Sequence, residues 1–519
     1  MLDPQLIAPS ALKATMAQLK AEGFDFLVHL TGMDWGEEGF GVVYQLENTT
    51  TGEHRSYRTV TADREHPMLP TVSDLWEIGN IYEREVYDFF GIIFTGHPDM
   101  RRIFLREDWV GYPLRKDDKT EEQNPFKLEN AELADTTTQY DVQEDGTVTT
   151  KQNIVFEEDD YVINFGPQHP STHGVLHFRI AVEGERIKKI DPVLGYIHRS
   201  IEKINEGMTY PQTLALTERM DYLSAMQNRH ALCMVIEQAM GVEVSDRVQV
   251  IRTIMDELQR IDSHLLYFSC LCQDMGATTP FLYGFRDREL VLDIFEETTG
   301  GRLIFNYNTI GGVMHDLHPN FCRRVKEFIP VMRKNLKEYH DIFTGNVIFQ
   351  NRSKGVGVLT KEEVINLGCT GGTGRAAGWH NDLRKLRPYA AYDRVDFKEI
   401  TFTEGDSFAR YMVRLLEIEE SLHIIEQLID NIPDGATQEK MKPIIKVPEG
   451  RFYAAVESSR GQFGVYLESN GDKSPYRLHY RSVGLPLVYA MDKACRGNFI
   501  ADFVTIGGTF DYIVPDVDR

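Results

Sequence analysis

The chain contains no CxxC pair. Its six cysteines, Cys233, Cys270, Cys272, Cys322, Cys369 and Cys495, lie apart, and the closest two, Cys270 and Cys272, diverge on a helix. That pattern favours buried, reduced thiols over a disulfide framework or a metal site. Long apolar runs are missing too. FFGIIF at 89–94 falls far short of the roughly 20 residues that span a bilayer. The opening MLDPQLIAPSALKATMAQLK lacks the basic and then apolar order of a signal peptide. Positive charge is in deficit: 56 Lys and Arg stand against 79 Asp and Glu, a formal net charge of −23. A nucleic-acid binder needs a basic face, and here only short stretches such as MRRIFLR at 100–106 run basic. No glycine-rich phosphate loop joins strand to helix near the start. These absences place the chain in the cytosol, or on a membrane only through partners.

What is present fits a large globular protein. A length of 519 residues allows two or more domains. Residues 1–117 read as a small α/β domain, with a helix from Ala11 to Glu22 ended by Gly23 and strands at 24–35, 39–48 and 54–62. Glu83, Arg84 and Asp88 form either a solvated face or ion pairs. After the GHPD turn at 96–99 come Arg101, Arg102, Asp108, Trp109, Pro113, Leu114, Arg115 and Lys116, types that suit a protein interface. Residues 118–160 lose hydrophobic periodicity and read as an acidic linker. From 161 to 519 a large, mainly helical domain is expected, with β segments at both ends, so the fold class is multidomain α+β. One helix is expected from a Thr217 cap to Gly241. Another starts at Ser245 and ends near Gly276, burying Val248, Ile251, Met255, Leu258 and Leu265. Further helices fit 287–299, 319–343, 361–367 and 407–432, and strands return at 452–458, 461–469 and 476–482.

The stretch NFGPQHPSTHGVL, Asn164 to Leu176, sits between strand signals. His169 and His173 are four apart, but Pro167 and Pro170 oppose a helix, and Gly166 and Gly174 permit tight turns. A rigid β-turn-β loop is expected. Its histidines either satisfy backbone groups or present an imidazole to something outside the chain.

Several long motifs then resemble one family. EREVYDFFGI, GHPDMRRI and PLRKD are similar to the C subunit of NADH–quinone oxidoreductase, respiratory complex I. NFGPQHPSTHGVL, GYIHRSIEK (195–203), TERMDYLSAM (217–226), QDMGATTPFLYGFRDRE (273–289), LRKLRPYAAYDRVDF (383–397) and ESSRGQFGVYL (457–467) resemble its D subunit. Both lie in one chain, as in the fused form found in bacteria. The D family in turn resembles the large subunit of nickel–iron hydrogenases, which hold metal with two CxxC pairs. The matching regions here, GYIHRSIEK and TFDYIVPDVDR, contain no cysteine, and a soft metal centre needs thiolates. The resemblance therefore implies a hydrogenase-like fold without the metal. A complex fed by ferredoxin or another donor is the alternative, with a membrane-bound hydrogenase-like complex disfavoured.

The resemblance implies a peripheral subunit on the cytoplasmic face of the bacterial inner membrane. Its partners would be a B-type iron–sulfur subunit, other peripheral-arm subunits and a membrane H-type subunit. Its substrate would be a quinone, ubiquinone or menaquinone, reduced with electrons that start on NADH and arrive from a [4Fe–4S] cluster on the partner; the chain itself would carry no metal. His173 and Tyr222 would bind the quinone and give it protons, with Asp274 behind the histidine. Near a helix C-terminus, Asp274 would be sensitive to its partner's protonation. Arg199 would approach the partner's cluster, and its fixed charge would favour the reduced state. His169 would lie near that cluster or hold the turn. Two departures stand out. Ile304 occupies a position where many relatives carry histidine, which would leave the cluster potential less sensitive to pH. Tyr512 and Pro515 also differ from the commoner residues.

Overall fold

A computed structural model describes residues 2–119, 133–143 and 145–519. Helix α1 (Pro9–Ala21) buries Leu12, Met16 and Leu19 and gives way to Gly23 at φ +97°, as its sequence predicts. Strands β1 (Phe26–Asp34), β2 (Phe40–Glu47) and β3 (His54–Thr61) form an antiparallel meander, and the short strand Gln5–Leu6 adds in parallel along β3. Helix α2 (Gly79–Phe90) packs on β1.

The charges on α2 are not a solvated face. Glu83, Arg84, Glu85 and Asp88 are all buried. Asp88 takes the Arg102 guanidinium at 2.9 Å and also accepts from the backbone N–H groups of Ile103, Phe104 and Leu105. Much of the expected interface segment turns inward. Arg101 reaches Asp191 of the second domain at 2.9 Å, and Leu114 is buried. It is an interface, but one within the chain.

The segment read as a linker holds structure. Strands β4 (Thr136–Val142) and β5 (Val148–Ile154) pair as a ribbon. Thr137 Oγ1 donates to the Pro98 carbonyl at 3.0 Å, tying the ribbon to the GHPD turn. Alternating Thr, Gln and Asn here carry a strand with little apolar signal. Residues 120–132 and 144 of the expected linker lie outside the described residues.

The second domain opens with the antiparallel strands β6 (Tyr161–Phe165), β7 (His177–Glu183) and β8 (Arg186–Val193). Helix α3 (Tyr210–Thr217) ends where one helix was expected to begin. Thr217 donates to the Thr213 carbonyl at 3.0 Å instead of capping a new helix, and α4 (Ala225–Met240) starts after a turn at 218–224. Two buried ion pairs draw that turn off the helical path: Glu218 with Arg229 at 3.1 Å and Asp221 with Arg460 at 3.0 Å. Helix α5 (Asp246–Asp274) keeps its Ser245 cap, the Ser245 hydroxyl accepting from Val248 N at 3.3 Å, and Gly276 lies just past its end at φ +77°.

Helices α6 (Thr278–Thr299), α7 (Phe321–Tyr339) and α8 (Ser407–Leu428) pack with α5 around one apolar core. The other core is continuous between domains, from Phe26, Tyr44 and Trp76 to Val465 and Tyr480. Strands β9 (Gly450–Glu457), β10 (Gln462–Ser469) and β11 (Arg477–Arg481) form an antiparallel sheet beside β1. There His29 Nε2 lies 2.7 Å from His479 Nδ1, and Glu85 sits between His479 (3.1 Å) and Arg519 (2.6 Å).

Three closing helices carry no sequence expectation: α9 (Gly484–Cys495), α10 (Phe503–Phe510) and α11 (Val514–Asp518). α9 and α10 are buried nearly all round, so no amphipathic stripe betrays them, and Gly507 and Gly508 weaken the helical signal of α10. Pro515 sits in the first turn of α11, where its missing N–H costs nothing. Tyr512 is buried, 6.4 Å from the Phe178 ring. No described helix is long and apolar enough to cross a membrane. The whole is a multidomain chain of helices and sheets.

Candidate functional site

The loop 166–176 joins β6 to β7, which pair with Phe165 opposite Phe178. At Gly166, φ is +91° and an added Cβ would lie 2.0 Å from the Leu176 carbonyl oxygen, so only glycine lets the two sides of the loop meet. The Gly166–Pro167 bond is cis. A single 3-10 turn, Pro170–Thr172, comes next. His169 Nδ1 accepts from Ser171 N at 3.2 Å. The Thr172 hydroxyl lies 2.7 and 2.8 Å from the His169 and Gly174 carbonyls.

This framework separates the two histidines. His169 stays exposed at the turn, its ring 4.0 Å from that of Phe165. His173 adopts a left-handed backbone, φ 52°, unusual for a residue with a side chain. From there Nε2 donates to Asp274 Oδ2 at 2.8 Å. Burial opposes charge on this imidazole and is the largest single influence. The hydrogen bond and charge of Asp274, joined by the charge of Asp511, outweigh it and raise the His173 pKa above 6.5.

Asp274 is the last residue of α5, where free carbonyls disfavour a carboxylate and a nearby imidazolium offsets that cost. Room for it comes from Gly508 on α10, where an added Cβ would lie 3.3 Å from Asp274 Oδ2. The chain just past α10 also packs under the loop: a Cβ on Gly174 would meet Val514 Cγ2 at 2.6 Å.

Tyr222 lies in the turn between α3 and α4, not on a helix, and is half-buried. Burial raises its phenol pKa; Arg460 and Arg288 pull it down, Asp221 and Cys270 push it up. Cys270, one helical turn before Asp274, is pushed up to about 11 by burial and then by the charges of Asp274 and Asp511, so it stays a thiol. Among the described residues no hydrogen bond joins Tyr222 directly to His173. Arg460 pairs with Asp221, the residue before Tyr222, and with Asp511, whose charge acts on His173.

Arg199 stands apart from this group, exposed on the loop 195–200. Asp518 fixes that loop, accepting from Gly195 N and Ile197 N at 3.0 Å each, while its carbonyl accepts from His198 Nδ1 at 2.6 Å. Ile304 is half-buried beside a cleft of about 230 Å³ lined also by Asn306, Met314 and His315. Asn306 N donates to Glu218 at 3.2 Å, so this loop docks on the Tyr222 turn. Sequence reasoning assigned no role to Arg460, Asp511 or Gly508. The quoted motif ESSRGQFGVYL contains Arg460, but a lone arginine between serines and glycine gives no sign of two buried carboxylates.

The class of protein to which this fold and its histidine–carboxylate pair belong is given by the chain's relatives. The family described as respiratory-chain NADH dehydrogenase, 30 Kd subunit, matches residues 6–124, and the 49 Kd subunit family matches 274–446 and 437–519. The chain is 64% identical to the C/D subunit of the Bacteroides fragilis NADH-quinone oxidoreductase, over 99% of each chain. It is equally similar to the C/D subunit of Bacteroides thetaiotaomicron, over 100% of each. The D subunit of the Bacillus mycoides enzyme is 45% identical over 69% of this chain and 99% of its own length. The chain belongs to the fused C/D subunits of NADH–quinone oxidoreductase, complex I.

Proposed function

We propose that this subunit forms the quinone-reduction pocket of a proton-translocating NADH:quinone oxidoreductase, with His173 and Tyr222 as the ligands of the quinone headgroup. The observation that carries this reading is the 2.8 Å pair between His173 Nε2 and Asp274. It leaves Nδ1 to meet a quinone oxygen. Two electrons and two protons turn a quinone into a quinol. The imidazolium gives one proton through Nδ1 and the Tyr222 phenol gives the other, both side chains having apolar bodies that tolerate a quinone ring. Asp274 then faces a neutral imidazole at a helix C-terminus and loses the cation that offset its charge there.

The electrons come from a [4Fe–4S] cluster on a partner B-type subunit, close to Arg199 with His169 at the edge of that contact. Membrane attachment is through partners, at the cytoplasmic face of the inner membrane. The helical domain shares the architecture of nickel–iron hydrogenase large subunits, with its thiol ligands absent. Quinone reductase activity of membranes carrying His173→Ala, Tyr222→Phe or Asp274→Asn tests the site. Losses in all three are expected, and unchanged activity in all three defeats the assignment.

A further inference from the structure

Arg460 sits at the tip of the β9–β10 hairpin, where Ser458 N donates to the Gly461 carbonyl at 2.8 Å and the turn drives the side chain inward. Its side chain is fully buried. Three separate pieces of the site converge on it. Nη1 donates to both Asp221 oxygens, at 3.0 and 3.2 Å, and lies 3.4 Å from Ser224 Oγ, holding the turn on both sides of Tyr222. Nη1 also donates to Ser263 Oγ on α5 at 3.1 Å. Ser263 is eleven residues before Asp274, close to three full turns, so both lie on one face of α5. Nε donates to the Asp511 carbonyl at 2.8 Å and Nη2 to Asp511 Oδ1 at 3.2 Å. Asp511 comes directly after α10, the helix whose Gly508 abuts Asp274.

We propose that Arg460 is a positioning residue for the two proton donors, holding the Tyr222 turn through Asp221 and, through its pair with Asp511, offsetting a carboxylate charge of this site. The inference rests on the quinone-pocket reading. The planar fork of an arginine suits this task, since it binds two carboxylates in fixed directions that a lysine cannot reproduce. His173 contacts Asp274 of α5 at 2.8 Å and also feels the charge of Asp511, just past α10. Tyr222 faces Asp221, Arg460, Arg288 and Cys270. Asp511 has one further cation, Arg414, at 3.4 Å. Without Arg460, Asp511 is less compensated and holds the His173 proton more strongly.

The test uses the whole complex in membranes, with quinone reductase activity measured against pH and short-chain quinone concentration. Arg460→Gln should move the alkaline limb of the pH profile upward by about one unit and lower kcat by about tenfold. Arg460→Lys keeps the charge and should keep the limb, while KM rises because the Tyr222 turn loses its forked anchor. Asp511→Asn removes the charge that acts on His173 and should move the limb downward. It decides the matter if Arg460→Gln fails to assemble. An assembled Arg460→Gln or Asp511→Asn complex with the limb unmoved overturns the inference. If His173→Ala retains full activity, the pocket reading has failed instead.

Discussion

Asp274 ends helix α5 with its carboxylate 2.8 Å from the His173 imidazole, and Gly508 leaves the space in which the two meet. A loop, a helix end and a glycine far apart in sequence thus make one ion pair. Its protonation is linked to folding. The His173 pKa is raised in the folded chain, so folding favours the proton on that ring. The resulting stabilisation is fully present below the unperturbed value of 6.5 and is lost as pH rises through the raised value. The unfolding midpoints of the wild type and of Asp274→Asn should differ most on the acid side and converge above neutrality. A gap that widens with pH would contradict this.

Gly508→Ala should separate stability from activity. Within a helix, alanine in place of glycine ordinarily gains roughly 0.5–1 kcal/mol. Here the new methyl would stand 3.2 Å from Leu271 Cδ1 and 3.3 Å from Asp274 Oδ2 and displace the carboxylate. Thermal denaturation should show little loss, while quinone reductase activity should fall about tenfold or more.

Arg101→Ala should loosen the junction of the two domains. Its guanidinium is shared by Asp99 at 2.7 Å and Asp191 at 2.9 Å, with Asp191 buried. Its loss leaves Asp99 only Arg84 at 3.5 Å and Asp191 only Arg179 at 3.6 Å, so the cost should stay below the roughly 3–5 kcal/mol of a buried carboxylate left with no partner. Denaturant unfolding of the variant should show a lower midpoint, and an unchanged midpoint would contradict the role of Arg101 at this junction.

Ile304→His tests the departure at that position. An aliphatic side chain takes up no proton, so, if a partner's cluster lies near this position as proposed, its potential in the assembled wild type should vary little with pH. The histidine variant should gain a pH slope. A redox titration showing the same slope in both would sink the expectation.

Much of this architecture was legible in the sequence where apolar period and caps agree. Ser245 and Gly276 mark the ends of α5, and Gly23 ends α1. The rest depended on pairings that no local pattern encodes. Thr217 looks like a cap, but Glu218 and Asp221 are drawn to Arg229 and Arg460, and the helix breaks. Arg101 and Arg102 look exposed, yet their acids come from α2 and from β8. His173 and Asp274 were brought together by family resemblance; their sequence separation of 101 residues gave no other signal.

The most direct measurement of the central claim is a structure of the assembled complex with a short-chain quinone bound. One quinone oxygen should lie about 2.6–3.2 Å from His173 Nδ1 and the other within the same range of the Tyr222 hydroxyl. A headgroup bound elsewhere, with both side chains free of it, would contradict the account.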